Sequence, residues 1–528
     1  MSDIEASKRT TFVPRPDGVC YAPGTVLDNS RLFPGATWQR HGAALALAAL
    51  LAACGSSNTS VNPAPQALLS GKPEVIFHDN QPMVVDLQIK LRRPGSAVLE
   101  LPGDPGARPA APADEPGTDL TLRARGLMPD ADYHGTLVLT GEDGSFESVD
   151  VDFHTLPPAP GFVASFPVTW AGTPSSEYRI FDLSVMPDMT EGAIIAAAPD
   201  GHTRFFLPRP AKTTVIPAVP AGIKLLPDGT LLFTQDNDAL QVDELGNVLW
   251  KVSAASLGVA GFHHDIIEMP NGHYMAMSYV FKDVFLDADQ KTHHVCGDLL
   301  VEFDRQGHKL WTWNSFDYLD AQRIHSGYEG FVTDPATGED SNDWTHGNGI
   351  LYQPEDDTVL LSMRHQDWVI KIDRKTGAIL WRLGPDGDFK LTSGEWFWHQ
   401  HSPQWQSDGS LLLYDNGVAN PYVQPADARS RPIQIAFDDK TMTAHIVWSE
   451  TNEKYLSIIA GDNDRLDNGN VSVLDSILPL PGGDFTGYSH LREVHQKDNQ
   501  WVWTLKLPDN RFAYRCIVNS RLPGEAAE

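Results

Sequence analysis

A pattern that recurs through the second two thirds of the chain constrains the fold more than any other feature. From about residue 165, an apolar strand, a Pro-Asp-Gly-like turn, a second apolar strand and a Gly-x-x-x-Trp unit follow one another repeatedly. The units are Gly246–Trp250, Gly307–Trp311 and Gly377–Trp381, with degenerate copies at Gly201–Phe205, Ile446–Trp448 and Trp501–Trp503. Spacings of 45 to 70 residues suit four-stranded repeats with loop insertions. The sequence predicts a six-bladed β-propeller over residues 165–516, its Trp rings packed between blades, and a C-terminal tail over 517–528.

Residues 72–157 predict a second, smaller domain. Runs such as VVDLQIKL and YHGTLVLTG alternate apolar and polar residues, which is typical of half-buried antiparallel strands. The piece from Leu127 to Tyr133 resembles the part of a fibronectin-type-III-like sandwich in which a Tyr hydroxyl pins a corner of the chain. We therefore expect an all-β protein in which a small β-sandwich precedes the propeller.

The charge of the chain excludes one class of partner. Acidic side chains number 69 against 40 basic ones, which gives a net charge of −29. A surface of this sign repels the phosphate backbone of nucleic acid, so we expect no nucleic-acid partner.

Residues 1–54 read as a leader. Arg40 and His41 precede a 12-residue apolar run, too short to span a bilayer, that ends in small residues. The ending Leu51-Ala-Ala-Cys54 resembles a bacterial lipobox, which implies cleavage before Cys54 and lipidation of its thiol. We expect a flexible tether over 55–71 and a protein held by a lipid anchor at the membrane, on the periplasmic side of a bacterial cell envelope. The alternative is that the apolar run forms a buried Ala/Leu helix. The 39 residues before Arg40 are unusual in front of a signal peptide and indicate an over-extended start.

Two cysteines, Cys296 and Cys516, remain beyond the leader region. Their spacing does not show whether they pair in an oxidising compartment. The chain has no Cys-x-x-Cys pair or zinc pattern, and we expect neither a metal nor a cofactor.

Aligning the repeats on their turn glycine brings polar residues to one level of the predicted channel. His264 and His401 each lie eight residues before such a glycine, and Asn348 takes the equivalent place in the blade between them. His346 shares the face of Asn348, and Arg364 ends the following apolar strand. This grouping predicts an anion-binding site. Strand alternation predicts that His263 and His365 point away from it, while His399 shares the side of His401.

At these residues the sequence resembles the bacterial arylsulfate sulfotransferase family. The resemblance rests on Phe-His-His-Asp-Ile (262–266), Trp-Thr-His-Gly-Asn (344–348) with Ser-Met-Arg-His (362–365), and Gln400-His401 followed by Tyr-Asp-Asn-Gly (414–417). It implies that a phenolic sulfate donor passes its sulfuryl group to a histidine and that a phenol acceptor then takes it. This is a ping-pong mechanism through a sulfohistidine, with no nucleotide sulfate donor.

The resemblance also implies a role for each candidate residue. His401 would be the nucleophile, while Arg364, Asn348 and His264 would stabilise the charge of the sulfuryl oxygens. His346 would exchange the phenol proton or serve as a further oxyanion donor. Trp344 and Trp398, with their neighbours Trp396 and Phe397, would stack an aryl ring or pack between blades.

Two other functions stay open at this point. A propeller lipoprotein could be a non-catalytic scaffold for binding or assembly in the cell envelope, but a scaffold needs no convergent His, Asn and Arg side chains. A quinone-dependent dehydrogenase would need more blades and a carboxylate-bound calcium. A homodimer also stays open as an alternative to a monomer.

Overall fold

The computed structural model describes residues 67–109, 116–185, 191–209, 220–324, 331–450, 455–479 and 487–527. Strands make up 54% of the described residues and helices 3%, which confirms the prediction of an all-β protein. The predicted leader with its lipidation site at Cys54, and the tether as far as residue 66, lie outside the described residues.

The first sheet is formed by residues for which the sequence predicts a sandwich. Its strands are β1 (Glu74–Phe77), β2 (Val85–Glu100), β3 (Arg108–Pro109), β4 (Gly117–Arg125), β5 (Asp132–Gly141) and β6 (Phe146–His154). The long strand β2 pairs with β1 and β4 through its first half and with β5 through its second half. Alternate residues of both halves, such as Leu87 and Leu99, lie in one apolar core. One six-stranded sheet thus provides both walls of this core.

The corner predicted from Tyr133 is present in this sheet. The backbone N–H of Met128 donates to the Tyr133 hydroxyl over 2.7 Å, and that hydroxyl donates to Asp104, also at 2.7 Å. The Arg204 guanidinium, which belongs to the next sheet, donates to both Asp104 oxygens at 2.9 and 3.0 Å. The corner therefore also ties the first sheet to the rest of the chain.

Six further sheets follow, and strand β7 (Val168–Trp170) precedes them. The second sheet begins with β8 (Tyr178–Val185), β9 (Gly192–Ala197) and β10 (Thr203–Pro208), and the third has β11 (Ala221–Leu225), β12 (Leu231–Gln235), β13 (Asp238–Val242) and β14 (Val248–Ser253). The fourth has β15 (Phe262–Glu268), β16 (Tyr274–Leu286), β17 (Lys291–Phe303), β18 (Lys309–Asn314), β19 (Phe331–Thr333) and β20 (Asp340–Asp343).

In each of the remaining sheets four consecutive strands pair antiparallel. The fifth has β21 (Gly347–Gln353), β22 (Thr358–Met363), β23 (Trp368–Asp373) and β24 (Ile379–Leu383), and the sixth has β25 (Lys390–Ser393), β26 (His401–Trp405), β27 (Leu411–Asp415), β28 (Arg431–Asp438) and β29 (Thr443–Ser449). The seventh has β30 (Asp462–Arg465), β31 (Val471–Pro479), β32 (Gly487–His495) and β33 (Gln500–Lys506), and β34 (Arg511–Phe512) and β35 (Cys516–Asn519) end the chain.

The two ends of the repeat region exchange strands. β7 pairs with β33 in the last sheet, whereas β34 and β35 pair with β8 in the second sheet. Residues 516–519 are therefore an inner strand, not part of the tail predicted over 517–528. The rest of that segment is also held, because the Gly524 amide donates to the Gly229 carbonyl at 2.8 Å. The repeat count in the sequence missed this strand because it carries no Gly-to-Trp unit of its own.

Contacts between neighbouring sheets follow a closed circuit. Innermost strands touch in the order β35, β11, β15, β21, β26, β30 and back to β35. Each neighbouring pair of sheets shares an apolar cluster, and one such cluster joins the second sheet to the seventh. Trp250, Trp381 and Trp503 of the repeat units are buried in these clusters, as predicted.

Helices are single turns in the described residues: α1 (Ser315–Tyr318) and the 3-10 turns Ala255–Leu257, Arg364–Gln366 and Pro425–Asp427. None of these turns is long and apolar enough to cross a membrane. Cys296 and Cys516 are both buried free thiols, so the pairing left open by the sequence does not occur in the structure.

Buried carboxylates hold the innermost strands to one another. Asp265 on β15 accepts from the amide of Ile350 on β21 at 3.1 Å, and Asp462 on β30 accepts from the amide of Cys516 on β35 at 2.9 Å. Asp182 on β8 accepts from the amides of Tyr514 and Arg515, at 2.9 and 2.8 Å. Each carboxylate can accept amide N–H groups that have no partner in a neighbouring strand. The buried backbone amides at the starts of these strands therefore keep a hydrogen-bond acceptor.

We expect Asp182→Ala to lower the free energy of unfolding by roughly 2–4 kcal/mol, because it leaves two buried amide donors without an acceptor. Chemical denaturation followed by tryptophan fluorescence measures this loss. Asp200→Ala is the control, since this exposed carboxylate bonds only within its own turn. Equal denaturation midpoints for the two variants would show that Asp182 does not hold the backbone at Tyr514 and Arg515.

Candidate active site

The candidate residues converge because inner strands begin with residues in left-handed backbone geometry. His264, His346 and Ser402 have φ of 58°, 48° and 50°. The strand registers shift at the same points, after His263, Gly347 and His401. A residue at positive φ in a strand produces a bulge that redirects the side chains around it. Strict alternation therefore fails where the site is built.

This geometry corrects the prediction that His263 and His365 point away from the site. His263 Nδ1 lies 2.8 Å from His264 Nδ1, and the His365 ring centre lies 4.6 Å from that of His346. His399, expected beside His401, bonds instead to Asp367 through both its amide and Nδ1. The His264 and His346 ring centres are 4.7 Å apart.

His401 is fixed by an asparagine. Its Nδ1 lies 2.6 Å from Oδ1 of Asn416, whose Nδ2 donates to the carbonyls of Ser457 and Ala460 at 2.8 Å each. Because those carbonyls fix the amide orientation, Asn416 Oδ1 faces the ring as an acceptor. His401 must then carry its proton on Nδ1, which leaves the lone pair on Nε2.

A glycine allows Asn416 to take this position. Gly417 has φ of 68°, and a Cβ atom there would come 2.0 Å from the Arg429 carbonyl oxygen. Its amide donates to the carbonyl of Trp398 at 3.0 Å and to Asp415 at 2.9 Å. This explains the Asp-Asn-Gly string in physical terms, because only glycine satisfies both the conformation and the close approach.

A second network surrounds His346. Its Nδ1 lies 2.5 Å from Asp343 Oδ2, and His365 Nδ1 lies 2.9 Å from the Asp343 carbonyl oxygen. His365 Nε2 accepts from the guanidinium of Arg364 at 2.5 Å. Since Arg364 can only donate, His365 is neutral and donates through Nδ1, and burial lowers the pKa of His365 to about 3. His365 thereby holds the Arg364 guanidinium in place.

The group of Asp343, His346 and His365 also has the composition of a metal site, with one ligand atom of each within 4.8 Å of the others. The 2.5 Å between Asp343 and His346 is the distance of a short hydrogen bond. Two ligands of one zinc ion, each about 2.0–2.2 Å from it, lie farther apart than this. As arranged, these residues form a hydrogen-bonded cluster.

Two residues that the sequence analysis did not select complete the surroundings of His401. The ring of Tyr514 is 5.5 Å from that of His264 and 6.3 Å from that of His401, centre to centre. The Arg515 guanidinium lies 4.8 Å from the centre of the Tyr514 ring. Both residues come directly before β35, at the place where an inner-strand histidine stands in other sheets. Their position in the sequence marks Tyr514 and Arg515 as candidate site residues only once β35 is recognised as an inner strand.

The electrostatics of this site favour neutral imidazoles and a bound anion. Burial, then the charges of Arg515 and Arg364, keep the pKa of His401 well below its ordinary value. Burial, then the neighbouring histidines, do the same for the pKa of His264. Neutral His401 beside two guanidinium groups is suited to attack an electrophile that carries negative charge.

Asn348 is fully buried, and its amide nitrogen donates to the Gln400 carbonyl at 2.7 Å. Its side-chain oxygen has no partner among the described residues. One N–H of the Asn348 amide, the predicted oxyanion donor, is therefore already used in a hydrogen bond. The side-chain oxygen of the same amide is available as an acceptor.

The two predicted aryl-stacking residues lie apart. Trp344 is buried in an apolar cluster, stacked 5.0 Å from Phe316, with its indole N–H on the Arg323 carbonyl. Trp398 is also buried, with its ring centre 6.0 Å from that of Tyr422. Trp344 thus packs within the protein core, which was the alternative to stacking an aryl ring. Trp398 instead adjoins the loop that carries Asn416.

We expect His401 to be neutral and protonated on Nδ1 at pH 7, and to remain neutral at pH 6, because burial and two guanidinium groups oppose its protonation. The ¹⁵N shifts of labelled histidine rings report both properties, and the His401→Gln spectrum assigns the signal. A ring protonated on Nε2, or a midpoint near 6.5, would contradict the geometry described above.

Comparisons with known proteins identify relatives of this chain. The chain is 25% identical over 287 residues to arylsulfate sulfotransferase AssT of Escherichia coli, a match that covers 44% of this chain and 47% of the relative. It is also 25% identical over 291 residues to AssT of Lelliottia amnigena, with the same coverage. The chain spans about half the length of the curated relatives it matches.

Among solved structures, a protein of unknown function from Bacteroides caccae matches 66% of this chain and 100% of its own, with 13% identity and a TM-score of 0.38. A similarity at that level does not define a shared fold. The family model for arylsulfotransferase (ASST) matches residues 173–515, which contain every histidine and arginine of the candidate site. The chain belongs to the arylsulfotransferase family.

Proposed function

We propose that the protein is an aryl-sulfate sulfotransferase that works by a ping-pong mechanism. Nε2 of His401 attacks the sulfur of a phenolic sulfate, so that an N–S bond forms and the S–O bond to the phenol breaks. A phenol acceptor then attacks the same sulfur, and the electron pair of the N–S bond returns to Nε2. The observation that carries this proposal is the Asn416 contact, which leaves the His401 lone pair on Nε2.

One fixed cation, Arg364, and two neutral polar side chains, Asn348 and His264, stabilise the transferred sulfuryl group. Its non-bridging oxygens carry negative charge in flight, as in phosphoryl transfer, and preorganised donors supply most of the stabilisation in such reactions. Arg364 is held by His365, and Asn348 and His264 lie beside it on neighbouring inner strands. None of these groups has to reorganise when the charge develops.

His346 exchanges the phenol proton. An in-line displacement on sulfur places both the leaving and the incoming oxygen opposite His401, so one group can serve as acid in the first step and base in the second. Bonding of His346 Nδ1 to Asp343 directs Nε2 of the same ring away from the carboxylate, as in the histidine–carboxylate pairs of other transferases and hydrolases. The aryl ring adjoins Trp398.

The same proposal includes the architecture. We infer that the six consecutive sheets are the blades of a six-bladed β-propeller whose channel mouth carries the site. The closed circuit of inner-strand contacts and the strand exchange between the second and seventh sheets support this arrangement.

The catalytic proposal predicts that a phenolic sulfate alone converts the protein to a sulfated form, and that His401→Asn loses phenol-dependent transfer by at least about 10³-fold. Mass analysis of His401 peptides and release of a chromogenic phenol measure the two effects. His490→Asn is the control, since His490 is buried on Asp475 in the seventh sheet outside the site. Wild-type protein that is folded but forms no sulfated peptide would favour the binding scaffold instead.

We further propose that Cys54 is lipidated and holds the protein at the periplasmic face of a membrane, as its lipobox-like surroundings suggest. Cys54→Ala should move the protein from the membrane fraction to the soluble fraction and abolish labelling by a fatty acid analogue. Unchanged fractionation of the variant would mean that the leader acts in another way.

A further inference from the structure

Arg515 has no place in the catalytic roles assigned above, yet it is one of the most enclosed charges of the site. Its Nη2 donates to the Asn348 carbonyl at 2.5 Å and its Nη1 to the Gly461 carbonyl at 2.8 Å. These carbonyls belong to two different inner-strand segments, on the fifth and seventh sheets. The guanidinium therefore links the fifth and seventh sheets, and it lies close enough to His401 for its charge to act on that ring.

The charge of Arg515 is balanced only at a distance. The nearest recorded carboxylate oxygen, on Asp462, is 3.8 Å from Nη1. Burial lowers the pKa of Arg515, but Tyr514 and the carboxylates of Asp462, Asp265 and Asp182 together raise it above its ordinary value. Each of these carboxylates already accepts a backbone amide. A buried cation without a close ion pair is costly unless another anion neutralises it.

His401 and the Arg515 guanidinium both lie near the ring of Tyr514, at 6.3 and 4.8 Å from its centre. The charged or titratable groups that face His401 are Arg515, Arg364, His346, His264 and Tyr514. After burial, Arg515 is the largest influence that lowers the pKa of His401, ahead of Arg364. Of the two cations, Arg364 donates to the His365 ring, whereas Arg515 donates to two carbonyls and, more weakly, to the Tyr514 hydroxyl at 3.5 Å.

We propose that Arg515 is a positioning residue of the transfer reaction, a second fixed cation that keeps His401 neutral and makes the site favourable for the sulfuryl anion. This rests on the proposed function. The residue acts through His401 in both half-reactions, because the free imidazole must be unprotonated to attack and the sulfated imidazole carries a negative group. Its two carbonyl contacts fix the distance at which the charge acts.

Two variants of the full chain separate this role from a structural one. Arg515→Gln keeps a hydrogen-bond donor but removes the charge, whereas Arg515→Lys keeps the charge but cannot reach both carbonyls in the fork geometry of arginine. The first measurement is the rate of protein sulfation by a chromogenic phenolic sulfate as a function of pH. The second is the protonation midpoint of His401 from ¹⁵N shifts, which needs no activity.

For Arg515→Gln we expect the His401 midpoint, and with it the acid limb of the sulfation rate, to move up by about one pH unit. The rate at pH 7 should fall about 10- to 100-fold. Arg515→Lys should restore the midpoint and only part of the rate. Arg204→Gln is the matched control, because this buried arginine pairs with Asp104 away from the site and should leave the midpoint unchanged.

An unchanged His401 midpoint in Arg515→Gln, or the same loss of rate in the Gln and Lys variants, would overturn the proposal and leave Arg515 a structural clamp. Absence of sulfation in wild-type protein would instead contradict the proposed function. In that case the midpoint still tests whether Arg515 controls the charge of His401.

Discussion

Buried carboxylates that accept backbone amides at the bends before and within the inner strands are the interaction on which this structure depends. A bulged strand start leaves N–H groups that no neighbouring strand can accept, and burying them without a partner would be costly. Asp298 accepts from the amide of Gly347, Asp367 from that of His399 and Asp415 from that of Trp398. These amides adjoin His346 and His401. The carboxylates thus make possible the irregular backbone that points imidazoles into one place.

The same interaction reconciles an acidic chain with an anion site. The net charge is −29, yet the carboxylates nearest the site are turned toward backbone amides and imidazole N–H groups. Arg364 and Arg515 keep their positive charge facing His401 because their own contacts are mainly to neutral acceptors. Overall charge predicts that nucleic acid is not a partner, but local arrangement sets what the site can bind.

The sequence predicted the large features because they rest on periodicity. Alternation and the Gly-to-Trp spacing indicated an all-β chain of repeated sheets, and the offset from the turn glycine brought His264 and His401 to one level. It could not predict side-chain direction at His263 or His365, because a positive φ at one residue reverses alternation locally. It also missed Tyr514 and Arg515, since nothing in a short strand near the C-terminus shows which distant sheet it joins. Asn416 was visible in the Asp-Asn-Gly string, but its role follows only from the carbonyls that fix its amide.

The strand exchange has a consequence for the order of events in the life of the chain. The inner strand of the second sheet is synthesised after every other strand of the six sheets, and the Tyr514–Arg515 pair directly precedes it. Until they arrive, the edge of β8 is open and the contacts of the innermost strands cannot close. A polypeptide that stopped before β34 would therefore lack the strands that complete the second sheet, together with Tyr514 and Arg515. It would expose an unpaired strand edge that proteases and chaperones recognise. Closure of the circuit of inner strands and assembly of the candidate site are in this way one event.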